Sequence, residues 1–164
     1  MRSGSYRPTR FAKAIQSLDI LIVDEVSMVR ADLFDAMVAA LELFGPHPGE
    51  RFGGVQLVLV GDLFQLPPVV RDSELSHFEL RYKTPFFFSA DSFDRATFPT
   101  AELTTVFRQI GDSRMVELLN SVREGSLLQN ARAELNRHTD PAFEPDVNDF
   151  WLTLATTNRI VGAR

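Results

Sequence analysis

The sequence predicts an α/β fold, a parallel sheet flanked by helices, and three observations carry that expectation. "LDILIV" at 18–23 is apolar and β-branched except for Asp19, as a strand buried on both faces of a parallel sheet would be. "VQLVLVGD" at 55–62 repeats the pattern and, like the first run, closes on an acid. Between them Leu33, Met37, Leu41 and Phe44 recur at helical spacing. A strand, a helix and a strand in this order join parallel strands by a right-handed crossover.

The elements follow in chain order. Residues 1–17 are basic and lack acids, as an organelle transit peptide would. No linker separates them from the first strand, so their second half reads better as a helix packed beside it. "FGPHPGERFGG" at 44–54 ends the central helix with Gly and Pro punctuation. "PFFFSADSFDRATF" at 85–98 is aromatic; three successive phenylalanines in a strand would face alternate sides, and burial between helix and sheet is preferred over base stacking for Phe86, Phe87, Phe88, Phe93 and Phe98. "AELTTVFRQ" at 101–109 reads as a third short strand. Met115, Leu118, Leu119 and Val122 mark a helix over 113–124 that Gly125 stops, and a second helical stretch spans 127–137. The acidic "HTDPAFEPDVND" then leads to "FWLTLATTN" at 150–158, another strand-like run.

Bulk properties narrow the function. A chain of 164 residues buries about 70% of its unfolded surface as one domain. It has no cysteine and only three histidines, which rules out disulfides and thiolate metal sites and leaves little for zinc. No apolar stretch approaches the roughly 20 residues that cross a bilayer, so no membrane partner is expected. The net charge of -5 argues against coating nucleic acid by bulk electrostatics. Only Lys13 and Lys83 are lysines, so the 17 basic residues include 17 - 2 = 15 arginines, which could still line a local groove. The arginine excess and missing cysteine point to a cytoplasmic protein from a GC-rich, bacterial genome.

Ligands of open α/β sheets bind beyond the carboxyl ends of the strands, where Asp24, Glu25 and Asp62 would gather. An apolar strand ending in Asp-Glu is a Walker B arrangement, one acid for a magnesium ion and one for the attacking water. From this stretch alone, helix caps or solvated loop acids explain the pair equally well. In "GDLFQLPPV" at 61–69, Gly61 allows a tight turn, two prolines stiffen the exit, and the uncharged amide of Gln65 suits contact with a phosphate or a water. A loop-capping amide is the plainer reading of Gln65.

Taken in order, "LIVDEVSMV", "LVLVGDLFQLPPV" and "LTTVFRQ" resemble motifs II, III and IV of Pif-type superfamily-one DNA helicases, relatives of the RecD-like enzymes. "LLNSVREG" and "LATTN" are also similar to that family. The resemblance runs from about residue 10 to the end. It implies a RecA-like P-loop NTPase fold and an enzyme that couples hydrolysis of ATP, with Mg2+, to 5′ to 3′ unwinding of DNA. It further implies roles by position: Asp24 for the metal, Glu25 for activating water, Gln65 for sensing the γ-phosphate, and Arg108 for stabilising charge on the transferred phosphoryl group. Standing alone, Arg108 would read as a surface salt bridge. A rigid, desolvated sheet edge would hold the acids accurately.

The G-x-x-x-x-G-K-[ST] loop that cradles ATP phosphates is absent, since Lys13 follows Ala12 and Lys83 follows Tyr82. In the family that loop lies several dozen residues before "DEVSM". The expectation is therefore an internal piece of a helicase, inactive alone: 1–138 a partial first RecA-like domain without its phosphate loop, 139–164 the connection and start of a second. The expected partners are single-stranded or forked DNA and the remainder of the helicase, with oligomeric state left open. Two other readings compete: a catalytically dead RecA-like interaction module, and the helicase part of a conjugative relaxase.

Overall fold

The computed structural model describes residues 10–107, 112–126, 129–146, 148–152 and 154–162. The chain divides into two compact units, Met1–Leu103 and Thr104–Arg164.

In the first unit, helix α1 (Ala12–Gln16) lies against α2 and leads into strand β1 (Ile20–Val23). Helix α2 (Ala31–Phe44) crosses over to strand β2 (Gln56–Leu59), which pairs with β1 in parallel from Ile20↔Gln56 to Val23↔Leu59. The strand, helix, strand reading holds. Burial on both faces does not: Val23, Leu57 and Leu59 pack against the core, whereas Ile20 and Ile22 are 51% and 64% exposed. These two isoleucines alternate to the face opposite Val23, which α2 does not cover.

The apolar stripe of α2 also differs in phase. Ala31, Phe34, Val38 and Leu41 are buried while Leu33 is exposed. "ADLFDAMVAALELF" is apolar around most of its circumference, so periodicity alone does not choose which 3.6-residue stripe faces the core. Here Arg30 helps to decide. Its guanidinium pairs bidentately with Asp32 at 2.9 and 2.7 Å and with Glu74 at 2.7 Å, tying the start of α2 to helix α3 (Asp72–Glu79).

The core joins α2 and α3 to the aromatic segment. Phe34 meets Phe87 and Phe93, and Phe93 stacks on Phe98 at 5.0 Å. Residues 87–89 form a 3-10 turn, not a strand, so the phenylalanines do not alternate between two faces. Phe87 is buried, Phe86, Phe93 and Phe98 are half-buried, and Phe88 is exposed, which bears out burial for most of the group.

Asp35, on α2, is the polar anchor of this segment. It accepts hydrogen bonds from the Tyr82 hydroxyl at 2.9 Å, the Ser92 N–H and hydroxyl at 2.8 and 2.6 Å, and the Asp91 N–H at 3.2 Å. Burial pushes the Asp35 carboxyl up, but the bonds from Ser92, Tyr82 and Asp91 outweigh it and hold the group below its ordinary 3.8. Burial and the bond to Asp35 push Tyr82 up from 10.0 to about 12. A carboxyl lowered on folding stabilises the native state above its unfolded pKa and loses that contribution as pH falls through the folded one. A phenol raised on folding contributes below pH 10.0 and loses the contribution as pH rises towards about 12. Urea unfolding should therefore show an acid-side loss of stability below about pH 4 that shrinks in Asp35→Asn. Tyr82→Phe should shrink the loss on the alkaline side. Limbs that neither variant changes would refute this assignment.

In the second unit, helix α4 (Ser113–Arg123) is capped by Asp112, whose side chain accepts from the Met115 N–H at 2.9 Å. It ends as expected, with Gly125 left-handed at φ 66°. Helix α5 (Gln129–Asn136) buries Ala131, α4 buries Leu118, and Arg114 bridges the two helices through Glu134 at 2.6 Å. Leu119 and Val122, expected on the buried stripe, are exposed.

The two later strands are not formed among the described residues. Residues 101–107 are irregular, with Leu103 and Phe107 exposed, and 150–158 form no ladder, with Trp151, Leu152 and Leu154 exposed. Strand-like composition becomes a strand only when a neighbour takes up its backbone hydrogen bonds. A short helix, α6 (Asn158–Val161), follows. No helix among the described residues is long and apolar enough to cross a membrane.

Candidate functional site

Parallel pairing in this register brings the carboxyl ends of β1 and β2 side by side. Val60 N–H donates to the Val23 carbonyl at 2.9 Å, and beyond the strands Val26 N–H donates back to the Val60 carbonyl at 2.9 Å. The chain reverses between these bonds: Glu25 adopts the left-handed conformation (φ 52°, ψ 39°), and Val26–Met28 form a 3-10 turn closed by Met28 N–H to the Glu25 carbonyl. A glutamate with positive φ is uncommon. It fixes where the carboxylate leaves the sheet.

Asp24 Oδ1 accepts the Glu25 N–H at 2.9 Å, and among the described residues nothing engages Oδ2 or the Glu25 carboxylate. Both acids are exposed, so the expected desolvated edge is not what this structure contains. Among the described residues no three His, Asp or Glu side chains converge as a metal cluster. The two carboxylates that are there, Asp24 and Glu25, fit magnesium, which keeps several waters and takes one or two carboxylates together with substrate phosphates.

On the neighbouring strand end, Gly61 passes so close to the turn that a Cβ would lie 3.0 Å from Val26 N and 3.1 Å from Ser27 N. Its φ is not positive, so close approach is what requires glycine here, rather than the tight turn its sequence suggested. Asp62 then organises the loop: Oδ1 accepts the Phe64 N–H at 3.0 Å, the carbonyl accepts the Gln65 N–H at 3.1 Å, and Oδ2 accepts from Gln65 Nε2 at 3.4 Å. Gln65 thus holds a loop-capping contact, and a long one. Asp24, Glu25 and the Asp62–Gln65 loop follow adjacent strand ends. Arg108 lies outside the described residues.

A groove of about 1040 Å³ lies between α2 and α3 and contains none of these residues. Its Asp32, Asp35 and Glu74 carboxylates are already paired with Arg30, Tyr82, Ser92 and Arg81, so the strand ends are the better place for metal and phosphate chemistry. Sequence reasoning did not single out Ser27, which is fully buried beside the acids, and no local pattern marks it.

A family model described as PIF1-like helicase matches residues 5–132. The ATP-dependent DNA helicase RRM3 of Saccharomyces cerevisiae is 37% identical over 126 residues, 75% of this chain and 16% of that protein. The human ATP-dependent DNA helicase PIF1 is 40% identical over 105 residues, 64% of this chain and 15% of its own length. Among solved structures, the Pif1 helicase from Bacteroides in complex with ADP-AlF3 and ssDNA is similar with a TM-score of 0.86 at 30% identity, over 97% of this chain and 37% of that one. The chain thus spans a small part of the length of the relatives it matches.

Proposed function

The chain belongs to the PIF1-like helicase family, and from that premise we propose that it supplies the acid-bearing and amide-bearing strand ends of the ATP site in an ATP-dependent DNA helicase. The observation that carries this reading is the Val26 to Val60 hydrogen bond, which fastens the Asp24-Glu25 turn beside the segment leading to Gln65. In this reading Asp24 holds Mg2+. The metal supplies neutralisation of phosphate charge when bound. Glu25 orients the attacking water and takes its proton. Gln65 exchanges its 3.4 Å contact with Asp62 for a terminal phosphate oxygen, and Arg108 brings a guanidinium to the same phosphate.

The whole protein is proposed to bind single-stranded or forked DNA and unwind it 5′ to 3′, with residues 1–138 belonging to a first RecA-like motor domain and 139–164 leading into a second. Hydrolysis requires a phosphate-binding loop that these 164 residues do not contain. The purified chain should accordingly release no phosphate from MgATP above background. The gene-length polypeptide containing it should show DNA-stimulated hydrolysis, lowered roughly 10²-fold by Glu25→Gln. Gene-length hydrolysis that Glu25→Gln leaves intact would overturn the reading.

A further inference from the structure

The acid-bearing turn and the Gln65 loop each run into a helix, and the two helices are joined at Arg30. On the acid side the backbone is bonded step by step: Met28 N–H donates to the Glu25 carbonyl at 2.9 Å, Val29 N–H to the Val26 carbonyl at 3.0 Å, and Phe34 N–H to the Arg30 carbonyl at 2.9 Å. Arg30, the N-cap of α2, is thereby linked to Glu25 through one continuous turn. On the amide side the loop that holds Gln65 ends at Arg71, the N-cap of α3, whose carbonyl accepts the Glu74 N–H at 2.8 Å. The Arg30 and Glu74 side chains connect the two, Nη1 to Oε2 at 2.7 Å.

That joint is directional. Asp32 grips the guanidinium through both oxygens, from Nε at 2.9 Å and Nη2 at 2.7 Å, which leaves Nη1 for Glu74. Arg30 Cζ also lies 5.3 Å from the centre of the Phe78 ring, one turn further along α3. The Arg30 and Glu74 side chains are only 19% and 25% exposed, so water screens them less than a surface pair. Val70 packs against the core and sets how deep the loop's exit lies, but an apolar contact has no preferred direction. A planar guanidinium held in a fork has one. With the Val26 to Val60 bond, the acid turn and the amide loop are joined once before Gln65 and again after it.

We propose that the Arg30–Glu74 ion pair is a positioning strut that sets the separation of Glu25 and Gln65, and with it the alignment of the attacking water and the terminal phosphate. This rests on the strand ends forming an ATP site. Neither side chain touches substrate in this role. Loss of either lets the far end of the loop swing on its apolar contacts while the Val26 to Val60 bond holds the near end, so Gln65 is misplaced relative to the acids.

Steady-state ATP hydrolysis by the gene-length polypeptide tests it. Arg30→Met and Glu74→Ala should each lower kcat/KM roughly tenfold. The double variant should be no worse than the poorer single, because the same pair is broken in all three. In a Gln65→Ala background Arg30→Met should add little, since the strut acts through Gln65. Asp35→Asn is the stability control: it loosens α2 from Tyr82 and Ser92, away from both loops, and should lower the urea midpoint without lowering kcat/KM. Should Arg30→Met unfold, Glu74→Ala carries the same comparisons. An unchanged kcat/KM in Glu74→Ala, an equal loss in Asp35→Asn, or a loss that multiplies fully with that of Gln65→Ala would overturn the proposal. If Glu25→Gln lowers hydrolysis while the Arg30 and Glu74 variants are normal, this inference alone fails. A parent polypeptide that does not hydrolyse ATP, or that is indifferent to Glu25→Gln, removes the ATP-site reading and this inference with it.

Discussion

Gly53→Ala is expected to destabilise the first unit by roughly 3 kcal/mol or more at 25 °C. Gly53 is left-handed at φ 64°, a conformation that costs an L side chain roughly 1–2 kcal/mol. Its Cβ would also overlap the Leu41 carbonyl oxygen and lie 2.7 Å from the Leu41 carbonyl carbon. Those are backbone atoms of the last turn of α2, so no side chain can swing aside. Nor can the turn slide locally, because the Gly53 N–H donates to Glu50 at 2.8 Å and its carbonyl accepts from His47 at 2.9 Å. The combined effect should be roughly 3 kcal/mol or more, against a total stability of about 5–15 kcal/mol for a domain. The same turn sets where β2 begins, so relief by backbone movement would shift Gln56 off Ile20 and part the strand ends. Urea unfolding followed by circular dichroism measures this. A variant within about 0.5 kcal/mol of the parent would refute the packing of this turn against α2.

Phe34→Ala should cost about 3–5 kcal/mol, the range for truncating a fully buried aromatic residue. Phe34 has no exposed surface, and its ring meets Phe87 at 6.0 Å and the edge of Phe93 at 6.1 Å between centroids. Both partners come from the aromatic segment that Asp35 anchors one residue further along α2, so the cavity cannot close without pulling against those hydrogen bonds. Phe88, which is exposed, is the control: Phe88→Ala should cost under about 1 kcal/mol. Equal losses in the two variants, read from urea midpoints, would contradict the core described here.

What the sequence made legible follows from which interactions are local. The two strands and the crossover helix announce themselves because apolar runs and a 3.6-residue pattern survive without knowledge of neighbours, and the acids at the strand tips stand out against "LIV". The phase of α2 was hidden because its apolar residues wrap most of the helix, and the choice is made by Phe87, Phe93 and the Arg30 pairs, all distant in sequence or set by tertiary contact. The strand-like runs at 101–107 and 150–158 failed for the opposite reason, since their composition suits a ladder that no described neighbour completes. At the candidate site, motif order singles out Asp24, Glu25 and Gln65 as candidates. The exposure of the acids, the close pass of Gly61 over the turn and the hydroxyl of Ser27, unpaired among the described residues, depend on atoms more than thirty residues apart or on burial, which no spacing encodes.

The left-handed backbone at Glu25 has a consequence for how this position tolerates change. Glycine would occupy that conformation with less steric resistance, so the substitution that best suits the peptide chain is also the one that discards the carboxylate. In the proposed role of Glu25, durability and chemistry are opposed at a single residue: variants selected only for thermal robustness should drift towards glycine or asparagine at 25, and selection for turnover should pull the glutamate back.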